Sequence, residues 1–350
     1  MNPVSREQQG ASSTAAAGDA WTRFRAQGPG THARDFAKTV GLSEAALLDL
    51  GRGAEVVRLQ PRWEELFAAL PQLGSVKSMS RNEFIVLEHW GHYQGEDAKE
   101  AATNEPVIDL RIFFRHWGSA FALSETGSKG TRRSVQFFDR HGDSVHKAYV
   151  EDDARIAAFD ELVSRFRDDA PGPLQVTPPT VAPSPDTPVD VTTFRAEWDA
   201  LKDTHEFVML LARHKLPRVQ ALRMAGESRA TEVGADSLRR ILESVAANET
   251  PFMIFVGNRG LMQIFTGTIR AVKAQNGWVN VFDKGLNLHA KEAGIASAFI
   301  VRKPTSDGVV TSLELFDEAG ETLALLFGER SFGQPESPVW RARLDELLAR

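Results

Sequence analysis

Slid against itself by 178 positions, the sequence matches in one ungapped block: residues 110–150 lie over 288–328 with ten identities in 41 positions. Among them are Ser119/Ser297, Ala120/Ala298, Phe121/Phe299, Ser134/Ser312, Phe138/Phe316 and Asp139/Asp317. Arg81/Arg259 and the aromatic pair Tyr149/Phe327 fall at the same offset, and GLSEAALLDLG (41–51) matches KLPRVQALRMA (215–225) at a slightly smaller one. A chain of 350 residues that repeats itself in this way is expected to fold as two copies of one unit. Between the copies, seven of the 17 prolines fall within 171–188, which reads as a semi-extended linker. The expected organisation is a flexible leader (1–30), a first repeat (31–170), a Pro-rich linker (171–190) and a second repeat (191–350).

Each copy opens with helical patterns and continues with strands. Ser43 suits the N-cap of EAALLDL, and Pro61 the first turn of RWEELFAAL. SMSRNEFIVLEHWGHY, IDLRIFFRHWGSAFALSE and SVQFFDRHGDSVHKAYV are rich in β-branched and aromatic residues, as are PFMIFVGNRGLMQIFTGTI and TSLELFDEAGETLALLF in the second copy. His141–Gly142–Asp143 and the GNRG at 257–260 read as hairpin turns, and strands joined by short turns pair antiparallel. The fold class expected is α+β, a tandem structural duplication. Each half is a large antiparallel β-sheet flanked by helices, with a ligand cleft between the halves.

There is no cysteine, which removes disulfides, thiolate metal sites, iron–sulfur ligation and a cysteine nucleophile together, leaving nine histidines and the carboxylates for any metal chemistry. Lys and Arg number 41 against 47 Asp and Glu, a net charge of −6 that is the opposite of the basic footprint of nucleic-acid binding, so no nucleic-acid partner is expected. No window approaches the ~18 apolar residues of a membrane span, and the N-terminus lacks the apolar core of a secretory signal, so no membrane insertion and a cytoplasmic location are expected. No P-loop, HExxH, strand-linked GxGxxG or nucleophile elbow occurs, and no flavin or nucleotide motif is visible.

His89 and His92 lie three apart in a strand, on opposite faces, and make a poor chelate. His116 and His214 read as packing or hydrogen-bonding residues. His205 differs: Asp203 can cap the helix that follows, with Glu206 as capping-box partner, which places His205 in the first turn and off the apolar stripe of Phe207, Leu210, Leu211 and His214. The positive end of a helix dipole disfavours imidazolium and so favours the neutral ring that a metal requires. On these grounds alone a solvated first-turn histidine is the commoner reading. Arg111, facing opposite to Leu110 and Ile112 on its strand, and the group Arg218, Arg302, Lys303 and Arg330 read either as solvated charge or as a cleft for an anionic, apolar ligand.

The motifs DTHEFVMLLARHKLPRVQALRM, FVGNRGLMQIFTG, RKPTSDGVVTSLELF and LFGER, with MSRNEF, DLRIFFRHW and SVQFFDRHGD, resemble the bacterial cytoplasmic hemin-transport and hemin-degrading family (HemS/ChuS/ShuS/PhuS/HmuS). The resemblance is collinear from about residue 34 to the C-terminus and includes the duplication. It implies heme b as the bound cofactor, with His205 as the axial ligand to iron and Arg111 as the distal residue, catalytic if the protein degrades heme. It also implies Arg218, Lys303 and Arg330 around the propionates or the pocket rim. The sequence departs from the family at Phe327, where a Tyr is common, and at Leu325, where a polar Gln position stands. The function implied is a heme-binding protein of heme uptake and iron acquisition that traffics heme and can degrade it with an external electron donor. A non-catalytic carrier that delivers heme to a separate heme oxygenase is the alternative. The partners implied are a heme ABC importer and a downstream heme oxygenase or reductase. In the first copy, Gln27 or His32 falls near the position corresponding to His205.

Overall fold

A computed structural model describes residues 19–28, 30–94, 106–127, 130–179, 187–330 and 333–349. The first repeat contains α1 (Ala20–Ala26), α2 (Ala33–Thr39), α3 (Glu44–Leu50), β1 (Val56–Leu59), α4 (Trp63–Ala68), β2 (Ser75–Arg81), β3 (Ile85–His92) and β4 (Asp109–Ile112). It continues with β5 (Trp117–Gly127), β6 (Gly130–Asp139), β7 (Ser144–Val150) and α5 (Ile156–Phe166). The second contains α6 (Val191–Asp199), α7 (Glu206–His214), α8 (Arg218–Ala225), β8 (Ala230–Val233), α9 (Ser237–Ala247), β9 (Phe252–Gly257), β10 (Leu261–Gly267) and β11 (Val272–Gln275). Then follow β12 (Trp278–Asp283), β13 (Leu286–Lys291), β14 (Ser297–Thr305), β15 (Gly308–Phe316), β16 (Thr322–Gly328) and α10 (Pro338–Leu348). The α+β class, the duplication and the two hairpin turns are all present. Ser43 caps α3, accepting the Ala46 N–H at 3.2 Å. Pro61 stands one residue before the N-cap Arg62 of α4 rather than in its first turn. Within the expected leader, Ala20–Ala26 is helical because Phe24 is buried against Phe36, with ring centroids 5.6 Å apart. Residues 171–179 carry neither helix nor strand, and 180–186 of the expected linker lie outside the described residues.

The two sheets do not divide at the linker. One has nine strands in the order β1-β5-β6-β7-β2-β3-β13-β12-β11, the other seven in the order β4-β10-β9-β16-β15-β14-β8. Each repeat therefore contributes to the other's sheet: the first lends β4, which pairs with β10, and the second lends β13, β12 and β11, joined through β13 to β3, all antiparallel. The segment IDLRIFFRHWGSAFALSE is consequently split. A short turn at Phe114–His116 separates β4 and β5, which belong to different sheets.

Two asparagines fasten this exchange. Asn82 donates from Nδ2 to the carbonyls of Gly257 (3.1 Å) and Leu323 (2.8 Å) in the other repeat, while its Oδ1 accepts the N–H groups of Phe84 and Ile85. Asn258 does the reverse, donating to Arg81 (3.0 Å) and Val145 (2.8 Å) and accepting from Gly260 and Leu261. The equivalent residues at this centre are thus Asn82 and Asn258, at an offset of 176 rather than the 178 of the Arg81/Arg259 match, because hydrogen-bonding role and not side-chain identity defines the equivalence. All four bonds of each amide are made. Removing either side chain strands four main-chain groups at about 1–3 kcal/mol each if water cannot reach them, and both sites are only half-buried. Asn82→Ala and Asn258→Ala are each expected to lower stability by about 2–4 kcal/mol, read as a drop in the urea midpoint. A loss below about 0.5 kcal/mol in either would contradict the lock.

The core follows from the pleat. The inner faces of the sheets build two clusters: in one, Ile85 and Leu87 of β3 pack with Ile254, Val256, Leu313, Leu315 and the helix residues Ile241 and Trp340, and in the other Val76, Ala120, Val135 and Phe137 pack with Phe159 and Leu162 of α5 and with Leu261. The opposite face of each sheet is covered at one end only. Phe194, Trp198, Phe207 and Leu210 of the α6–α8 group pack on Phe299, Val301 and Phe316, and α3 packs on Phe121, Leu123 and Phe138. The remainder of each of these faces is not covered by these helices.

Candidate functional site on the open face of the seven-stranded sheet

Strand register shows which residues share that open face. Arg111 lies beside Met262, Ile264 beside Phe255, Phe255 beside Leu325, and Leu325 beside Glu314. Phe327 lies beside Met253 and Ser312. Because side chains alternate across a strand, these positions form one surface. Met253, Phe255, Met262, Leu325 and Phe327 are all half-exposed, so the surface is an apolar plate not covered by the helices. Phe255 and Phe327 meet edge to face with centroids 5.3 Å apart. Arg111, on the edge strand β4, is 60% exposed and ion-paired with Asp109. Three strand spacings, roughly 14 Å, separate it from the strand of Phe327.

His205 stands at the other side. It is the N-cap of α7, one residue before the first turn, and Asp203 acts on a tight entry turn: its backbone carbonyl accepts the Glu206 N–H (3.2 Å) and its carboxylate accepts the His205 N–H (2.7 Å). Glu206 still reaches back, accepting the Lys202 N–H at 2.8 Å, as a capping box would. The stripe facing the core is as expected, with Phe207 and Leu210 buried, whereas Val208 and Met209 are 60% and 64% exposed. The His205 side chain is 94% exposed, and its Nδ1 lies 2.6 Å from Asp203 Oδ1. The carboxylate can only accept, so Nδ1 carries the proton and Nε2 presents its lone pair outward. The His205 N–H, with the His205 ring and the charge of Arg330 assisting, holds the Asp203 carboxyl below its ordinary range and keeps it an acceptor.

The cations divide into two groups. Arg218 clasps Glu314 through two bonds, Nε–Oε2 at 2.8 Å and Nη2–Oε1 at 2.9 Å, and Lys303 Nζ lies 2.5 Å from Glu314 Oε1. Glu314 is wholly buried and Lys303 is 2% exposed, so Lys303 stands below the surface and not at a rim. Burial alone would raise the Glu314 carboxyl, but Arg218 and Lys303 bring it down to about 2. Burial also pulls the Lys303 ammonium below its usual range, against the attraction of Glu314. Arg218 and Lys303 flank the Phe207 ring at 5.0 and 4.8 Å, which ties the start of α7 to the sheet. Arg302 is turned to the other side of β14, bonding Thr231 Oγ1 at 3.1 Å. Arg330, just beyond β16, has a buried Nη1 with no hydrogen-bond partner.

His205, Phe327 and Arg330 are therefore brought to one end of the plate, Arg218 and Lys303 beneath it, and Arg111 to its far edge. Glu314 and the apolar wall of Met253, Phe255 and Met262 escaped the sequence reading. The signal for Glu314 was present: in TSLELF it alternates with Leu313 and Leu315, a lone carboxylate on a buried strand. Among the described residues no cluster of three or more His, Asp or Glu could hold a bare metal ion. One exposed imidazole at the end of an apolar plate with cations suits instead an iron already held in a macrocycle that carries carboxylates.

The model of the Haemin-degrading HemS.ChuX domain matches residues 41–166 and again 215–347. The hemin transport protein HmuS of Yersinia pestis is 40% identical over 331 residues, 94% of this chain and 96% of that protein. The structure of holo-PhuS, a heme-binding protein from Pseudomonas aeruginosa, superposes with a TM-score of 0.87 at 38% identity, covering 95% of this chain and 98% of that one. ChuS, an E. coli heme oxygenase, superposes with a TM-score of 0.82 at 36% identity, covering 95% and 99%. No helix among the described residues is long and apolar enough to cross a membrane.

Proposed function

This chain belongs to the family of Haemin-degrading HemS.ChuX-domain proteins, and from that premise we propose that it binds one heme b on the open face of the seven-stranded sheet, in the course of heme uptake and iron acquisition in the cytoplasm. The observation that carries the reading is His205: an exposed imidazole whose Nδ1 is held by Asp203, with Nε2 left as the donor. A carboxylate behind a ligating histidine fixes its tautomer and raises its basicity. Met253, Phe255, Leu325 and Phe327 supply the apolar wall. The free Nη1 of Arg330 is matched to a propionate, with Arg218 and Lys303 holding the frame through Glu314.

Heme held by His205 would supply an iron able to change oxidation state. Arg111 is the residue of this chain assigned to the side opposite His205, where its guanidinium would donate hydrogen bonds. Two outputs follow from the relatives: hemin transport, as HmuS is named, and oxidative opening of the macrocycle, as ChuS is described. The surface favours transport. Phe327 and Leu325 put hydrocarbon on the two face positions nearest Glu314, so neither a hydroxyl nor an amide there can order a water or an oxygen ligand. In the transport reading, an importer delivers heme and a separate oxygenase or reductase receives it.

The discriminating experiment is aerobic incubation of the heme complex with ascorbate and catalase, following the Soret band and released iron. A stable band over an hour supports transport. Loss of the band with release of iron establishes degradation. Arg111→Ala is expected to alter the ligand opposite His205, seen as a shifted visible spectrum or faster autoxidation, while changing hemin affinity less than threefold. An equal loss of affinity in Arg111→Ala and His205→Ala would contradict this division.

A further inference from the structure

The corresponding face of the nine-stranded sheet bounds a cavity of about 800 Å³. Register relates the two faces position by position. Lys147 stands where Leu325 stands, Lys77 where Met253 stands, Glu88 where Ile264 stands, and Tyr149 where Phe327 stands. His289, paired with Val86, takes the place of Arg111, paired with Met262. Duplication has thus kept the backbone frame and exchanged an apolar plate for a charged one. Both repeats build the cavity, because β12 and β13 of the second repeat extend its floor.

The lining carries seven Lys and Arg against five carboxylates, in a chain whose net charge is −6. Several pairs are internal: Lys77 meets Glu88 at 2.9 Å, and Lys147 meets Glu44 at 2.5 Å, leaving Glu44 Oε2 buried without a partner. Arg81 is different. Its guanidinium is half-buried, bonds only the Asn82 carbonyl (3.1 Å) and has no carboxylate at ion-pair distance among the described residues. Burial and the nearby Arg34 lower its pKa against the attraction of Glu44, Asp35 and Glu83, none of which closes an ion pair with it. Around these charges stand aromatic faces. Trp278 is half-exposed and Phe282 is 55% exposed, both on β12, whereas the buried Tyr149 ring is already flanked by Lys77 Nζ at 4.7 Å and Arg132 Cζ at 5.3 Å.

We propose that this cavity is a second binding site, for a flat conjugated organic anion more polar than heme, whose ring system lies against Trp278 and Phe282 of β12 and whose acid group is taken by Arg81. Heme itself is a poor occupant, since its hydrocarbon faces would press on Lys77, Lys147 and Glu88 and strip their water. His289 keeps Nδ1 on Asn280 Oδ1 (2.8 Å) and offers its other nitrogen as a polar contact. The inference rests on the cavity and not on the heme reading. Two sources share the required chemistry: an open-chain tetrapyrrole dicarboxylate and a phosphorylated heterocycle.

The test uses the full chain, with and without bound hemin, dialysed against biliverdin in one arm and flavin mononucleotide in the other. One of the two is expected to bind one equivalent with Kd below about 100 μM, whether or not hemin is present, and at least tenfold more weakly to Arg81→Gln and to Lys77→Met. Glu88 retains Asn287 as a partner when Lys77 is replaced, at 3.0 Å, so that variant keeps a folded control. Binding of neither probe at 1 mM, affinity unchanged in both variants, or a second equivalent of hemin lost on Arg81→Gln would each overturn the proposal. Hemin-free protein is included, so a failure of heme binding at His205 shows separately.

Discussion

Glu314→Ala should cost about 3–5 kcal/mol of folding free energy, because it leaves the buried Lys303 beside the half-buried Arg218 without their shared carboxylate. Lys303 has no route to water at 2% exposure, and the penalty is that of an uncompensated charge rather than of a lost attraction. Replacing the acid together with its most buried partner, Glu314→Leu with Lys303→Met, should recover a large part of the loss. Urea midpoints check both, and a single-variant loss under 1 kcal/mol would show that the triad is solvated. The pH dependence follows from the same pair. The carboxyl has an ordinary value of 4.5 and about 2 in the fold, so its contribution is complete above about pH 4.5 and disappears as the pH falls toward 2. Glu314→Gln should therefore be less stable than the parent at pH 7 and converge on it in acid.

His205→Ala should weaken hemin binding at least tenfold, about 1.4 kcal/mol, and shift or abolish the Soret band of the complex. The side chain makes no contact with the core, being 94% exposed, so the thermal midpoint of the hemin-free protein should stay within about 2 °C of the parent. That pairing of a large binding loss with an unchanged fold separates a ligand from a structural residue. Asp203→Asn keeps the size of the side chain but weakens the acceptor that holds Nδ1–H, and an intermediate loss is expected, since such outer partners are typically worth 10- to 100-fold in metal affinity. An unchanged spectrum in His205→Ala would remove the assignment.

Much of this was legible in the sequence because it is local. Ser43 and Asp203 announce helix entries, the turns at 141–143 and 257–260 announce hairpins, and the offset of 178 residues is borne out by the registers of β5–β7 against β14–β16. The strand exchange was not legible. Nothing in DLRI says that β4 leaves its own repeat, because an edge strand's partner is chosen by tertiary packing. The role of Asn82 and Asn258 was hidden for a related reason: an amide in a turn reads as turn chemistry, and its donation to another repeat's carbonyls is visible only in three dimensions. Arg218 and Lys303 illustrate the limit of reading cations one at a time. Each looks like a ligand contact until Glu314, 96 and 11 residues away, is seen between them.

The central claim is that the Nε2 of His205 holds heme iron over the open sheet face. It is tested most directly by His205→Gly titrated with hemin in the presence and absence of imidazole. Removing the ring leaves a gap at the ligand position while Asp203 and the apolar plate remain, so free imidazole should restore the parent Soret band and most of the affinity. If imidazole leaves the spectrum and affinity of His205→Gly as they were, or if hemin binds that variant as it binds the parent, the iron is held elsewhere and the account is wrong.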